Sequence, residues 1–153
     1  MTQPSQGDSD SVPLNTMRLA IELEIPSDIQ YIERVVELVT RQCEELCFTA
    51  RHCALNVPVA LTEALSNAIL RGNREDPLKN VRLRAQVDWW TLVLEVTDQG
   101  IGFDMDSCSV DPTTDDRIDR EDGRGLFLMR NLMDSVERFI DRGNVVRLTL
   151  HRK

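Results

Sequence analysis

The sequence predicts an α+β two-layer sandwich, an α/β arrangement in which a mixed, mostly antiparallel sheet carries helices on one face. Three observations lead there. Period-two alternation occurs in neighbouring blocks joined by short turns, the pattern of hairpin-linked strands. The helical stretches stand between these blocks rather than after every strand, which argues against a doubly wound parallel sheet. The first alternating stretch has an apolar and a polar side, so one face of the sheet needs cover and the other does not. At 153 residues the chain is one domain with a short appendage, and 41% hydrophobic against 29% charged residues is enough for a core and excludes disorder throughout.

Residues 1–15 are polar, with Pro4, Gly7 and Pro13, and read as a mobile arm; residues 16–153 are the domain. Met17, Leu19, Ile21, Leu23 and Ile25 alternate with polar residues including Arg18, Glu22 and Glu24, a half-buried strand. Ser27 and Gln30 have capping-box spacing, and Ile29, Ile32, Val36, Val39, Cys43 and Leu46 then recur at helical spacing to about Ala50. A second helix is expected from an N-cap at Asn56, with Pro58 in its first turn, to about Leu70, closed by Gly72-Asn73. Val81, Leu83, Ala85 and Val87 mark a second strand, Trp89-Trp90 a turn, and Leu92 to Thr97 a third strand. Gly100 to Asp122 is rich in Gly, Asp, Ser and Thr without periodicity, and a loop of that length in a compact domain is usually functional or disordered. Gly123 to Met133 reads as a short helix, and Val136 to Ile140 with Val145 to Leu150 as a hairpin turned at Asp141-Arg142-Gly143-Asn144.

The net charge of −8, from 18 basic and 26 acidic residues, argues against a direct nucleic-acid partner, because neutralising phosphates takes a surplus of Lys and Arg. Much of the acidity lies in Asp104 to Asp122, where eight carboxylates are set against Arg117 and Arg120 alone. No apolar run approaches the ~20 residues of a membrane span, and residues 1–15 lack the basic and apolar regions of a signal peptide. The expectation is a soluble, cytoplasmic protein with no membrane partner. Cys43, Cys47, Cys53 and Cys108 form no regular framework and read as free thiols. Together with His52 the first three offer four metal or redox ligands, but paired C-x-x-C knuckles are absent and Cys43 and Cys47 fall on otherwise apolar helix positions, so packing is the expected role.

Three short elements carry polar groups or backbone openings where chemistry could sit. On the second helix Leu61, Ala64, Leu65, Ala68 and Ile69 make the core stripe and leave Glu63 and Asn67, four apart, on another face; these are either the solvent side or groups with a polar partner. In the third strand Leu92, Leu94 and Val96 share one face, and the next residue in phase is Asp98, so a carboxylate ends the buried row. It either forms a turn or accepts hydrogen bonds from something delivered into the core. Gly100 and Gly102 follow at once and permit close approach of a ligand to the backbone. Finally, Gly123-Arg124-Gly125-Leu126 opens a helix, either as a hinge or as a site where free N–H groups and the positive dipole end suit a phosphate.

In this order and spacing, Glu63-x-x-x-Asn67, Asp98-x-Gly100-x-Gly102, a long loop and Gly123-x-Gly125 resemble the N, G1 and G2 boxes of the Bergerat (GHKL) ATP-binding fold. The string Thr62-Glu63-Ala64-Leu65-Ser66-Asn67-Ala68, and Gly123-Arg124-Gly125-Leu126 through Leu132-Met133-Asp134, are most similar to the anti-sigma factor serine kinases, the RsbW-like group. The resemblance spans about Leu14 to Arg152. It implies ATP and Mg²⁺ as cofactors. Asp98 would accept from the adenine amino group, with Gly100 beside the base and Gly102 at the hinge of a lid in the acidic segment. Asn67 would give a carbonyl oxygen to Mg²⁺, Gly123, Arg124, Gly125 and Leu126 would form the phosphate-side segment, and Glu63 would be the general base. It further implies a serine/threonine protein kinase that phosphorylates a STAS-type anti-sigma factor antagonist, binds a sigma factor in competition with it, and forms a homodimer. The alternatives are a nucleotide-dependent partner switch without phosphotransfer and a stand-alone ATPase domain of a larger complex. A phosphoacceptor helix is missing, since His52 and His151 stand in no suitable run, which disfavours a two-component sensor.

Overall fold

The computed structural model describes residues 18–100 and 120–152. The arm at 1–15, Gly102, Cys108 and the acidic stretch 104–119 lie outside the described residues.

Five strands form one sheet: β1 (Arg18–Pro26), β2 (Asn80–Asp88), β3 (Thr91–Asp98), β4 (Ser135–Ile140) and β5 (Asn144–His151), in the order β1-β2-β3-β5-β4. Every neighbouring pair is antiparallel, so the expected mixed sheet is antiparallel in all its described pairings. Register follows the apolar phase. Leu23 pairs with Leu83 and Leu83 with Val96, while Ala85 pairs with Leu94 and Leu94 with Leu148, giving two adjacent apolar rows that are buried from β2 onward. The other face carries cross-strand ion pairs at matching register: Arg84 with Glu22 at 3.7 Å, and Arg147 with Glu95 at 2.7 Å and Glu137 at 3.4 Å. Pairs this open contribute under about 1 kcal/mol each and act mainly to keep that face polar.

The helices are α1 (Ile32–Glu45), α2 (Val57–Asn67) and α3 (Arg120–Leu132). A single 3-10 turn at Ile29–Tyr31 leads into α1, and the capping residue is Asp28, whose Oδ1 accepts from the Gln30 N–H at 3.0 Å. Ser27, the cap the spacing suggested, is buried instead: its hydroxyl donates to Lys79 O at 2.6 Å and accepts from Asn73 Nδ2 at 2.9 Å. Asp caps as well as Ser does, and the hydroxyl has better partners inside. α1 ends at Glu45, short of Ala50, because Cys47 turns into the left-handed region at φ 63°.

α2 does not begin at Asn56. Its backbone is helical through a π turn at His52–Asn56, Asn56 makes no cap, and its Nδ2 donates to Leu132 O at the end of α3, 2.6 Å away. A second π turn, Ala68–Gly72, extends the other end. The resulting 21-residue run, His52–Gly72, is long and apolar enough by composition to cross a membrane, contrary to the sequence expectation. Here it is the central core helix, with Ala60, Leu61, Ala64, Leu65 and Ile69 fully buried against the sheet and its neighbours.

Cys43 and Cys53 are packed in the core, while Cys47 is exposed. Burial, then Cys53 and Glu44, push the Cys43 thiol up to about 12, and burial also raises Cys53. Protonated thiols are poor metal ligands, and among the described residues no group of three His, Cys, Asp or Glu could hold a metal ion. The same corner is tied to the last strand by Arg152, whose guanidinium lies 4.4 Å over the Phe48 ring and 4.5 Å over the Trp89 ring and donates to Leu46 O, Cys47 O and Trp89 O.

Candidate nucleotide site

β3 ends as its phase requires. Leu92, Leu94 and Val96 are buried, and Asp98 closes the row with 9% of its surface exposed. Its Oδ1 accepts from the N–H of Gly100 at 2.8 Å and from Nδ2 of Asn144 at 2.9 Å, the residue opposite it on β5. The turn alternative for Asp98 is realised as an Asx turn with Gly100, and the carboxylate also accepts from Asn144. A Cβ on Gly72 would lie 2.3 Å from Asp98 Cγ and Oδ2, and one on Gly100 would lie 2.1 Å from Gly72 O. No side chain fits either place, so the end of the α2 run and the turn after β3 meet backbone to backbone.

Asn73, 1% exposed, holds this junction together. Its Nδ2 donates to Ser27 Oγ at 2.9 Å and Asn80 O at 3.0 Å, and its Oδ1 accepts from the Gln99 N–H at 2.7 Å. One side chain thus links the end of β1, the start of β2, the end of β3 and the end of the helical run. Beside it a cavity of about 420 Å³ is lined by Gly72, Asn73, Arg74, Glu75, Asp76, Pro77 and Lys79.

The second cluster lies along α2. Thr62, Glu63, Ser66 and Asn67 are all half-buried, so this stripe is not a plain solvent face. α3 crosses it at Gly125, where a Cβ would come 2.9 Å from Glu63 Oε1 and 3.2 Å from Asn67 Nδ2. Of the Asn67 atoms the amide nitrogen lies nearest a Cβ at Gly125, and the carbonyl oxygen is a donor of the kind a hard cation takes, with phosphate and water as further ligands. Arg71 and Arg124 are exposed, and Leu126 is half-buried. α3 is helical from Arg120, so Gly123 is its fourth residue and Gly125 lies past the free N–H groups of the first turn. The paired glycines therefore do not sit before the helix as expected: Gly125 serves close approach of α3 to α2. Glu63, Asn67, Asp98, Gly100, Gly123, Arg124, Gly125 and Leu126 are among the described residues; Gly102 is not.

The two clusters are joined by one helical run. Glu63 and Gly72 are nine residues apart, about 13 Å at helical rise, a separation suited to an extended ligand with a base at one end and phosphates at the other. The glycine-lined closeness at Asp98 and the oxygen donors at Asn67 and Glu63 fit Mg·ATP. Sequence reasoning missed Gly72, Asn73 and Asn144 as site residues. Asn144 was findable, because it ends the in-phase row Asn144, Val146, Leu148, Leu150 as Asp98 ends its own.

Comparison with known proteins identifies the family. A family model described as histidine kinase-like ATPase domain matches residues 25–150. The anti-sigma F factor of Clostridium beijerinckii is 33% identical over 101 residues, covering 64% of this chain and 69% of that protein. The serine-protein kinase RsbW of Bacillus subtilis is 29% identical over 121 residues, covering 76% of this chain and 75% of that one. Among solved structures, the RsbU and RsbW domains of Rv1364c from Mycobacterium tuberculosis superpose with a TM-score of 0.63 at 14% identity over 88% of this chain, which spans 33% of that longer one. At that identity the likeness speaks for the fold. With the antiparallel sheet, the helix carrying Glu63 and Asn67, and the buried Asp98 in place, the chain belongs to the histidine kinase-like ATPase family, in the part of it that holds the anti-sigma factors and RsbW kinases.

Proposed function

We propose that this protein is an ATP- and Mg²⁺-dependent serine/threonine protein kinase that acts as a cytoplasmic anti-sigma factor, phosphorylating a STAS-type antagonist and binding a sigma factor as a homodimer. The observation that carries the reading is the convergence at Gly125: this residue, on α3, comes within van der Waals reach of Glu63 and Asn67 on the helical run whose C-terminal end meets Asp98. Mg·ATP supplies the phosphoryl group and the cation that offsets its charge. Asp98 accepts from the amine of the base, and Gly72 and Gly100, packed close around the carboxylate, hold it in place. Asn67 offers its carbonyl oxygen to the cation. Glu63, one turn earlier, takes the proton of the attacking hydroxyl; a module that only sensed nucleotide would have no use for a base there.

The test is incubation of the purified chain with labelled ATP, Mg²⁺ and candidate STAS antagonists, followed by location of any phosphoserine. Transfer that disappears in Glu63→Gln while ATP binding persists supports the kinase. A wild-type chain that binds ATP and a sigma factor yet transfers no phosphate to any antagonist is a partner switch without phosphotransfer.

A further inference from the structure

Asn144 sits at the first ladder position of β5, paired with Asp98 on one side and Ile140 on the other. The turn that delivers it is pressed against the end of β3: Arg142 has φ 58°, Gly143 has φ 139°, and a Cβ on Gly143 would lie 2.5 Å from Asp98 O and 2.8 Å from Thr97 Cγ2. Left-handed backbone at a non-glycine such as Arg142 costs energy unless the surroundings require it, while Gly143 adopts its positive φ freely. What this turn secures is a buried amide, 8% exposed, against a buried carboxylate. The Asn144 Nδ2 donates to Asp98 Oδ1 at 2.9 Å and approaches Gly100 O at 3.4 Å. Two acceptors on the same NH₂ fix the amide's orientation, since the flipped form would set its carbonyl oxygen against a carboxylate.

We propose that Asn144 is a positioning residue that makes Asp98 a one-sided acceptor and so sets selectivity for a base bearing an exocyclic amine; this rests on the nucleotide reading above. Oδ1 already has two donors, the Gly100 N–H and the Asn144 amide, which use its two lone pairs. Oδ2, which packs close to Gly72, receives no hydrogen bond among the described residues and is the acceptor left for a ligand. An amine there gains a charge-assisted hydrogen bond, whereas a carbonyl oxygen at the same ring position meets a fixed negative charge. Without the Asn144 amide the carboxylate regains rotation, both oxygens share the contact with Gly100, and the orientation that separates amine from carbonyl is lost. The tail hairpin, in the sequence only a closing element, thus supplies part of the base end.

The experiment is calorimetry on the full chain with Mg·ATP and with Mg·ITP, which carries a carbonyl where ATP carries the amine. Wild type, Asn144→Ala and Asn144→Asp are compared, with thermal melts to score folding. Wild type should favour ATP at least about ten-fold, the worth of one hydrogen bond to a charged group. In Asn144→Ala, ATP binding should weaken about ten-fold with ITP little changed, so that the ratio approaches one. Asn144→Asp keeps the size and turn preference of the residue but sets two carboxylates together, and should lose more ATP affinity than Ala does. A purely structural Asn144 would lower the melting temperature and leave the ATP/ITP ratio unchanged; that result in either folded variant, or equal binding of both nucleotides by wild type, overturns the proposal. A wild type that binds neither nucleotide overturns the nucleotide reading as well, so the two failures are distinguishable.

Discussion

At the end proposed for the base the chain has already made its hydrogen bonds: Asp98 Oδ1 is held by Gly100 and Asn144, Asn73 bridges Ser27, Asn80 and Gln99, and Gly72 and Gly100 touch through bare backbone. At the end proposed for the phosphates, Glu63 and Asn67 are half-buried, and among the described residues no hydrogen bond holds either side chain. Buried polar groups must be satisfied by the protein, whereas half-buried ones wait on water or a ligand. The base end is therefore a preformed mould, and the phosphate end is completed by what binds. Perturbations of the first should register in stability and affinity together, and those of the second in rate.

The sharpest separation is expected from Glu63→Gln. Phosphotransfer should fall about 10²–10⁴-fold, the usual contribution of a general base, with ATP affinity and melting temperature near wild type. A quench-flow or gel assay showing the wild-type rate would remove Glu63 from the chemistry. Asp98→Asn replaces a charged acceptor oxygen by a donor and should weaken ATP by about 1.5–3 kcal/mol; undiminished binding by calorimetry would break the assignment of the mould to the base.

The glycines sharpen the comparison, because the same substitution should act oppositely at the two ends. In Gly100→Ala the new Cβ meets backbone, 2.1 Å from Gly72 O, and the fold should lose about 1–3 kcal/mol along with ATP binding. In Gly125→Ala the nearest atom is Glu63 Oε1 at 2.9 Å, the tip of a flexible side chain that can swing aside. Ala is the better helix former, so α3 should gain up to about 1 kcal/mol while phosphotransfer drops. Denaturant titrations of both variants check this, and a destabilised Gly125→Ala would show that the phosphate end is as tightly moulded as the base end.

The smallest effect is a control remote from both ends. The Cys43 thiol, pushed up to about 12 by burial, stays protonated in the folded chain after the unfolded chain, at its ordinary 9.0, has begun to ionise. The unfolded state then binds fewer protons, so stability is intact below pH ~9 and declines as pH rises toward 12. Cys43→Val should flatten part of that decline in alkaline melts without altering nucleotide binding; an identical slope in both chains would mean the thiol contributes nothing.

Much of this was legible because hydrophobic phase is a local property. Asp98 stood out by ending an apolar row, and Glu63 and Asn67 by sharing a helix stripe. Gly72 and Asn73 were not legible because a helix stop explained them sufficiently, and Asn144, although in phase with a buried row, was absorbed by its turn. Their roles depend on partners such as Ser27 and Asp98, 46 positions away in each case, and nothing local reports a contact of that separation. The helix starts failed for a related reason. Asn56 and Gly123 carry good start signals, but the helical backbone begins upstream of both.

The π turn at Ala68–Gly72 puts a length constraint on the chain. The Asn73 N–H reaches back five residues to Ala68 O, at 2.8 Å, instead of four. That extra residue lets the stretch before it show Glu63 and Asn67 to α3 while the stretch after it shows Gly72 to Asp98. Deleting one residue between 68 and 71 would tidy the helix into a regular one and turn everything beyond it by about 100°, carrying Gly72 away from β3 and pulling Asn73 out of its socket. Point substitutions at exposed Leu70 should be absorbed, whereas loss of that position should not. Related sequences that keep this architecture should vary in side chain at the exposed position 70 and scarcely at all in residue count.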